Sequence, residues 1–266
     1  MSDRTIGPAV QHLLGRLDAI GTCLERQKGA LALLGLGSVG LDVWRADRFS
    51  DLDFFVIAEA ETAVWLREDL SWLSSVETLS FAHRNTADGW KVLFLDGIFG
   101  EFAVFAPEQL PNIPFQAGRL IWSREGFDVK TLKPSRQIEP IDITWTLSEA
   151  LTCIYVGLCR FRRGEVLASH RMIQGHALDL VLNLMWSSIE GEQRGDPFNS
   201  SRRAELIWPD RRAWLRQVCA GYDQSVEAAQ ILLTELDRFG PLPKPLLTAI
   251  EALLAPPDLK DEDAAL

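Results

Sequence analysis

The stretch ALALLGLGSVGLDVWRADRFSDLDFFVIA, residues 30–58, decides the fold. Its first apolar run, 30–36, ends in Gly37-Ser38, and twelve residues then separate this pair from Asp51-Leu52-Asp53. A second apolar run, 54–57, follows at once. Short apolar runs bounded by turn residues are typical of buried β-strands, so the sequence predicts two of them here.

The two aspartates of this stretch point to one side of the second predicted strand, because side chains alternate along a strand. Like charges so close together repel each other, and oxygen-bound divalent cations are the usual means of making such a pair stable. The Gly37-Ser38 turn offers backbone N–H groups and a hydroxyl to phosphate oxygens. Together these features indicate metal-assisted phosphoryl or nucleotidyl transfer. The alternative is that Asp51 caps a turn and Asp53 is a solvated residue.

The length and the charge balance of the chain bear on the size of its core and on the kind of acceptor it can bind. With 266 residues, of which 47% are hydrophobic, the chain is long enough for one large core or two smaller ones. Lys and Arg number 27 against 37 Asp and Glu, so the net charge is −10. Binding of long nucleic acid needs a basic surface, so a small-molecule acceptor is favoured.

No apolar run is long enough to span a membrane, and residues 1–8 lack the apolar core of a secretory signal, which predicts a cytoplasmic protein.

The order of the patterns predicts an α+β chain in three parts. Residues 1–140 are expected to form a catalytic domain, a mixed β-sheet with helices. A proline-rich connection, 107–145, marks its end. Helical periodicity over 141–255 predicts an α-helical bundle for substrate binding or dimerisation, and the acidic tail 256–266 is expected to be flexible.

Three more specific structural predictions follow from the periodicity. Residues 39–44 are expected to form a short helix or turn with its apolar side chains facing inward, namely Val39, Leu41, Val43 and Trp44. Residues 165–190 are expected to form one long helix. Three tryptophans of the bundle are expected to lie in its core: Trp186, Trp208 and Trp214.

The central motif resembles a known signature. An apolar residue, Gly-Ser, a short gap and then Asp-apolar-Asp-apolar is typical of the polymerase-β-type nucleotidyltransferase superfamily, and residues 36–38 and 51–54 fill every slot. Segments further along are similar to the lincosamide and aminoglycoside antibiotic nucleotidyltransferases: Arg163-Gly164-Glu165, residues 171–179, Asp196-Pro197-Phe198, and Arg202-Arg203 with Glu205. The chain departs from the pattern at Leu36, where an aromatic residue is often found, and over Val39 to Arg48.

This resemblance implies transfer of AMP from ATP to a hydroxyl of a small molecule, with magnesium as the cofactor and a homodimer as the assembly. It implies that Asp51 and Asp53 bind two magnesium ions. It also implies that Gly37 and Ser38 contact the phosphates of the nucleotide.

The resemblance further implies a third carboxylate on a strand next to the one that carries the two aspartates. Residues 90–95 and 100–105 alternate around the turn dipeptide Asp96-Gly97, which predicts an antiparallel hairpin. Glu101 is the favoured third acid, as general base and metal ligand, and Asp96 is its competitor. From the helical half, Arg171 and Arg203 are the predicted phosphate contacts, with Arg202 beside them.

Two other classes of function remain open. One is a non-catalytic or regulatory protein with this fold, such as half of a toxin–antitoxin pair. The other is an enzyme that nucleotidylates a protein or an RNA, although the acidic balance weighs against RNA. A resemblance to resistance enzymes does not by itself identify an antibiotic as the acceptor.

Overall fold

The computed structural model describes residues 7–134, 140–189 and 198–255. The chain divides into two compact units, Met1–Gln137 and Ile138–Leu266. The predicted acidic tail and the Asp196-Pro197 pair lie outside the described residues. Within the described ranges, no helix combines the length and the apolar character that crossing a bilayer requires.

The first unit is built on a six-stranded mixed sheet, which confirms the predicted fold class. Its strands are β1 (Ala30–Gly35), β2 (Leu52–Ala58), β3 (Leu79–Arg84), β4 (Gly89–Phe94), β5 (Phe99–Phe105) and β6 (Arg119–Ser123). Their spatial order is β3-β4-β5-β2-β1-β6. β2 and β5 run parallel, and the other neighbouring strands are antiparallel.

Helices cover one face of this sheet. They are α1 (Pro8–Glu25), α2 (Ala60–Glu68) and α3 (Ser71–Ser74). The helical spacing predicted for the first of them is confirmed by its buried apolar residues, which include Leu13, Leu17, Ile20 and Leu24. On the sheet, Phe54 of β2 and Phe102 of β5 stack with ring centroids 5.0 Å apart, so the two parallel strands are joined through the main core.

The opposite face of the sheet is covered only in part. Ile57 and Phe105 lie in a smaller apolar cluster there, together with residues of the 3₁₀ segments Pro107–Asn112 and Val129–Leu132. Strand alternation places Asp53 and Glu101 on this second face, beside the ends of β2 and β5. The acidic residues therefore lie on the face that helices α1 to α3 leave free.

The connection from β1 to β2 differs from its prediction. It contains two short 3₁₀ segments, Gly37–Val39 and Val43–Arg45. Val39 is buried, but the prediction that Leu41 and Trp44 face inward is wrong, since they are 60% and 68% exposed. The reason is that two isolated turns have no continuous apolar face to bury, unlike a regular helix.

The second unit is helical, as predicted. Its helices are α4 (Ile143–Arg162), α5 (Val166–His170), α6 (Leu178–Ser187), α7 (Ala204–Ile207), α8 (Arg212–Val218), α9 (Ser225–Leu236) and α10 (Lys244–Leu254). The long helix α4 packs against α5, α6, α9 and α10. Trp186 is buried against Trp208, with ring centroids 4.4 Å apart, and Trp214 packs on the same core, so the three tryptophans are core residues as predicted.

The prediction of one regular helix over 165–190 is wrong in its middle. A π-helical segment, Arg171–Ala177, separates α5 from α6. In it, Ile173 lies so close to Gly157 of α4 that a Cβ on that glycine would come within 2.5 Å of Ile173 Cγ1. The apolar period of the sequence does not distinguish the wider π turn from an α turn, because it records which face is buried and not how far apart the turns are.

Candidate active site

The turn after β1 lies against the start of β2. The Leu36 N–H donates to the Asp53 carbonyl oxygen at 2.7 Å, which ties the two strands together at this point. Gly37 follows with a φ of 50°, in the left-handed region that glycine adopts without strain. A Cβ on Gly37 would lie 3.7 Å from Asp53 Oδ2 and 3.3 Å from Arg45 Nη2. The glycine thus keeps open a narrow space between a carboxylate and a guanidinium.

The parallel pairing of β2 and β5 brings two of the predicted acids side by side. Asp53 and Glu101 are register partners on these adjacent strands. Asp51 precedes Asp53 by two positions and is half-buried. Among the residues that the structure describes, the Asp51 carboxylate has no hydrogen-bond or ion-pair partner. The three acids therefore occupy neighbouring backbone positions at one end of β2 and β5.

Two neighbouring side chains contact the Glu101 carboxylate. Asn85 Nδ2 donates to Glu101 Oε1 at 3.0 Å. Lys91 Nζ lies 3.2 Å from Glu101 Oε2, and Lys91 of β4 is the register partner of Glu101 across the hairpin. Each oxygen of this carboxylate thus has its own donor.

The three carboxylates do not gather into one ligand set. Over residues 7–134, 140–189 and 198–255, no group of three or more His, Cys, Asp or Glu side chains is arranged so that it could hold a metal ion. Asp51 and Asp53 fit magnesium by the chemistry of their oxygen donors. Glu101 has one donor on each of its oxygens, and its part as a third ligand stays a prediction.

Asp96, the competing third acid, makes different contacts. Its Oδ2 lies 2.7 Å from Arg16 Nη2 and 2.7 Å from His12 Nε2, both on α1. Burial raises the pKa of Asp96, but hydrogen bonds from His12 and from the Ile98 N–H, with the charge of Arg16, outweigh it and hold the pKa below its ordinary value. These contacts tie the β4–β5 turn to α1, so Asp96 has a structural role.

The next two residues of the turn, Ser38 and Val39, are buried. Ser38 is 8% exposed, and its contact with a nucleotide stays a prediction. Arg119 of β6 donates to the Val39 carbonyl oxygen from Nε at 3.3 Å and from Nη2 at 3.1 Å. Two donors on one carbonyl fix the backbone that follows Gly37-Ser38.

Sequence reasoning missed three side chains near the acids, which are Arg45, Asn85 and Lys91. Arg45 is mostly buried, and its Nε donates to Asp42 Oδ2 at 3.0 Å. Lys91 could have been identified from the sequence. Lys91 and Glu101 are equally distant from Asp96, at the centre of the predicted hairpin, so the hairpin places them opposite each other. No sequence signal singles out Asn85, which reaches Glu101 from the connection between β3 and β4, or Arg45, at the end of the 3₁₀ segment Val43–Arg45.

The predicted phosphate-binding arginines belong to the second unit. Arg171 lines a cavity of about 580 Å³ together with Arg160, His176 and Tyr222. Arg203 precedes α7 with a left-handed φ of 67°. Their part in binding a nucleotide stays a prediction.

Comparisons with known proteins give likenesses in structure only. No family model matches the chain, and no curated protein matches it either. It is similar to the crystal structure of an aminoglycoside 6-adenyltransferase from Bacillus subtilis, with 11% identity over 93% of this chain and 99% of that one, at a TM-score of 0.38. It is also similar to a nucleotidyltransferase-like protein from Exiguobacterium sibiricum, with 14% identity over 92% of this chain and 77% of that one, at a TM-score of 0.33. TM-scores this low do not establish a shared fold.

Proposed function

We propose that this protein is a metal-dependent nucleotidyltransferase that moves AMP from ATP onto a hydroxyl of a small molecule and releases pyrophosphate. The observation that carries the proposal is the parallel register of Asp53 and Glu101, next to the turn at Gly37. Two acids on adjacent strand positions, beside a glycine that keeps space open, form a site suited to a cation and a phosphate chain.

Asp51 and Asp53 are the residues that would hold magnesium. Asp51 has no partner among the described side chains, and both acids offer the hard oxygen atoms that this ion prefers. When bound, the ion supplies charge neutralisation and polarisation at the phosphate oxygens. Without it, the two aspartates and the triphosphate would repel each other.

Glu101 is the proposed general base. It would accept the proton of the acceptor hydroxyl as the oxygen of that hydroxyl forms a bond to the α-phosphorus. The bond from the α-phosphorus to the oxygen that bridges to the β-phosphorus breaks in the same displacement, and pyrophosphate leaves. The Asn85 amide and the Lys91 ammonium orient the Glu101 carboxylate for this role.

The nucleotide phosphates are proposed to contact the turn at Gly37 and Ser38. Arg45, whose Nη2 borders the space beside Gly37, adds a positive charge there. Arg171 and Arg203 are the further proposed phosphate contacts, from the helical unit.

The acceptor is proposed to be a small molecule such as a lincosamide or an aminoglycoside, modified in the cytoplasm by a homodimer. The net charge of −10 supports an acceptor that is not a long nucleic acid.

A mass-spectrometric screen tests the proposal. The protein is incubated with magnesium, ATP or GTP, and panels of aminoglycosides, lincosamides and cell extract, and products are searched for an added nucleoside monophosphate. Glu101→Gln is expected to lower turnover by roughly 10²- to 10⁴-fold with little change in nucleotide affinity, as for loss of a general base. Asp53→Asn is expected to abolish transfer and to keep its melting temperature. The exposed Asp18→Asn on α1 is the control for the loss of one carboxylate. Transfer retained by Asp53→Asn would refute the metal assignment.

A second candidate is a non-catalytic protein of this fold. The observation that favours it is the bonding of Glu101 by Lys91 and Asn85, together with the lack of a three-acid group among the described residues. Such a protein would bind no nucleotide in a magnesium-dependent way, whereas the transferase must. Calorimetric titration with ATP and magnesium distinguishes the two.

A further inference from the structure

Three apolar side chains form a row across β3, β4 and β5, which we call the apolar shelf. Phe81 pairs with Leu93, and Leu93 pairs with Phe99. Val92 and Phe102 of the same strands are buried in the main core, so strand alternation places the shelf on the face away from α1 to α3. Phe81 and Phe99 are 54% and 37% exposed, and Leu93 is half-buried. A continuous exposed row of large apolar residues, unlike single ones, marks an interaction site.

The apolar shelf lies next to Glu101 along the strands. Phe99 precedes Glu101 by two positions on β5, and Leu93 follows Lys91, the register partner of Glu101, by two positions on β4. Side chains two positions apart share a face and lie about 7 Å from each other. The proposed general base thus borders an apolar surface, and small-molecule sites combine a few polar groups with such a surface.

The direction of the displacement decides on which side of the base the acceptor lies. In the proposed reaction the triphosphate contacts the turn at Gly37, which follows β1, and β1 borders β2 on the side away from β5. The entering hydroxyl and the leaving pyrophosphate lie on opposite sides of the α-phosphorus, because the displacement is in line. Pyrophosphate therefore leaves on the β1 side. The acceptor approaches from the β5 side, where Glu101 and the apolar shelf lie.

We propose that the apolar shelf binds the apolar part of the acceptor. The substrate class that fits is an amphipathic small molecule, with an aromatic or aliphatic group about 7 Å from the hydroxyl that receives the nucleotide. This inference rests on the proposed function and narrows its acceptor. A purely polar sugar would leave the shelf in contact with water and gain no binding energy from it.

Binding of 3-phenylpropan-1-ol, which joins a hydroxyl to a phenyl ring through a short chain, tests the apolar shelf directly. The full chain, with ¹³C-labelled leucine methyl groups, is titrated by NMR with and without magnesium and α,β-methylene-ATP, an analogue that cannot transfer its nucleotide. We expect the Leu93 methyl resonances to shift until the site is saturated, in both conditions. Glycerol, which has hydroxyls but no apolar group, should leave these resonances unchanged.

Variants of the most exposed shelf residue locate the binding site. Phe81→Ser should weaken the affinity for the probe by about fivefold or more, because it removes apolar contact area. Phe81→Leu, which keeps an apolar side chain, should change it by less than about twofold. Trp65→Ser is the matched control, since it removes a 41% exposed aromatic side chain from α2, on the other side of the sheet, and it should bind the probe as the wild type does.

The outcomes separate this inference from the function on which it rests. No shift at Leu93, in a protein that binds the analogue with magnesium, would overturn the inference and leave the transferase proposal intact. Displacement of the probe by the analogue would also overturn the inference, because the shelf would then hold the nucleobase. So would a dimer in sedimentation velocity that Phe81→Ser dissociates, because a second copy would cover the shelf. No magnesium-dependent binding of the analogue would overturn both proposals.

Discussion

Replacing Asp96 by Asn separates the structural acid of the β4–β5 turn from the proposed catalytic ones. In the wild type, Asp96 Oδ2 accepts from Arg16 and His12 at 2.7 Å each. The Arg16 side chain is only 7% exposed, and its guanidinium lies over the Phe94 ring at 4.6 Å from the centroid. An amide in place of the carboxylate leaves this buried cation without its main counter-charge.

The size of the effect follows from these surroundings. Removing one partner of a fully buried ion pair costs about 3–5 kcal/mol. Asp96 is 25% exposed, and Glu77 stays 3.6 Å from Arg16, so part of the cost is offset by water and by this second acid. We therefore expect a loss of about 2 kcal/mol in the free energy of unfolding. For a chain of this length that corresponds to a melting temperature lower by about 4–8 °C.

The effect has a defined pH dependence. Because the folded state lowers the pKa of Asp96, the stabilisation is fully present above the unfolded pKa of about 3.9 and is lost as pH falls through the folded pKa. The difference between wild type and Asp96→Asn should thus be constant from about pH 5 to 6 and shrink below about pH 4.

Thermal unfolding at pH 6 and at a series of lower pH values measures this difference. Asp18→Asn, an exposed substitution on α1, should change the melting temperature by less than about 1 °C. Equal melting temperatures for wild type and Asp96→Asn at pH 6 would refute the structural role. A loss of nucleotide transfer in Asp96→Asn without loss of stability would make Asp96, and not Glu101, the third acid.

Two further predictions concern the helical unit. Gly157→Ala should lower the free energy of unfolding by about 1–3 kcal/mol, because its Cβ would lie 2.5 Å from Ile173 Cγ1. Gly175→Ala is the control: nothing lies within 4 Å of its Cβ, so it should be neutral or stabilise the protein by up to about 1 kcal/mol. Urea unfolding followed by circular dichroism compares the pair, and an equal loss in both would contradict the close packing of α4 on the π segment. Glu235→Gln should cost about 1–2 kcal/mol, because Glu235 is 5% exposed and accepts from both terminal nitrogens of Arg211 at 3.0 Å, whereas Arg211 and the second partner, Arg238, are 29% and 60% exposed and keep part of their hydration. A urea midpoint for Glu235→Gln within error of the wild type would contradict this prediction and show that water reaches the ion pair.

Much of the fold was predictable because its signals are local. The strand 30–36 and the strand after Asp51 are short apolar runs bounded by turns, and the structure has both. The antiparallel hairpin around Asp96-Gly97 is confirmed, with Gly97 at a φ of 90°, as a three-residue turn requires. These features depend on residues close together in sequence, which single-sequence reasoning can read.

The features that were missed depend on contacts distant in sequence. The π turn at Ile173 depends on how neighbouring segments pack, which the apolar period does not encode. The bonding of Glu101 requires the register of β4 against β5 and the reach of Asn85 from an irregular segment. The sequence predicts which acids lie near one another, but not which donors hold them.

The most direct test of the proposed site is magnesium-dependent binding of ATP, measured by isothermal titration calorimetry on the wild type and on Asp53→Asn. We expect heat of binding for the wild type only when magnesium is present. Asp53→Asn should give at least a tenfold weaker affinity at an unchanged melting temperature, a loss of about 1.4 kcal/mol or more. No ATP binding by the wild type, or equal magnesium-dependent affinity in the two proteins, would contradict the assignment of Asp51 and Asp53 to a nucleotide-bound metal.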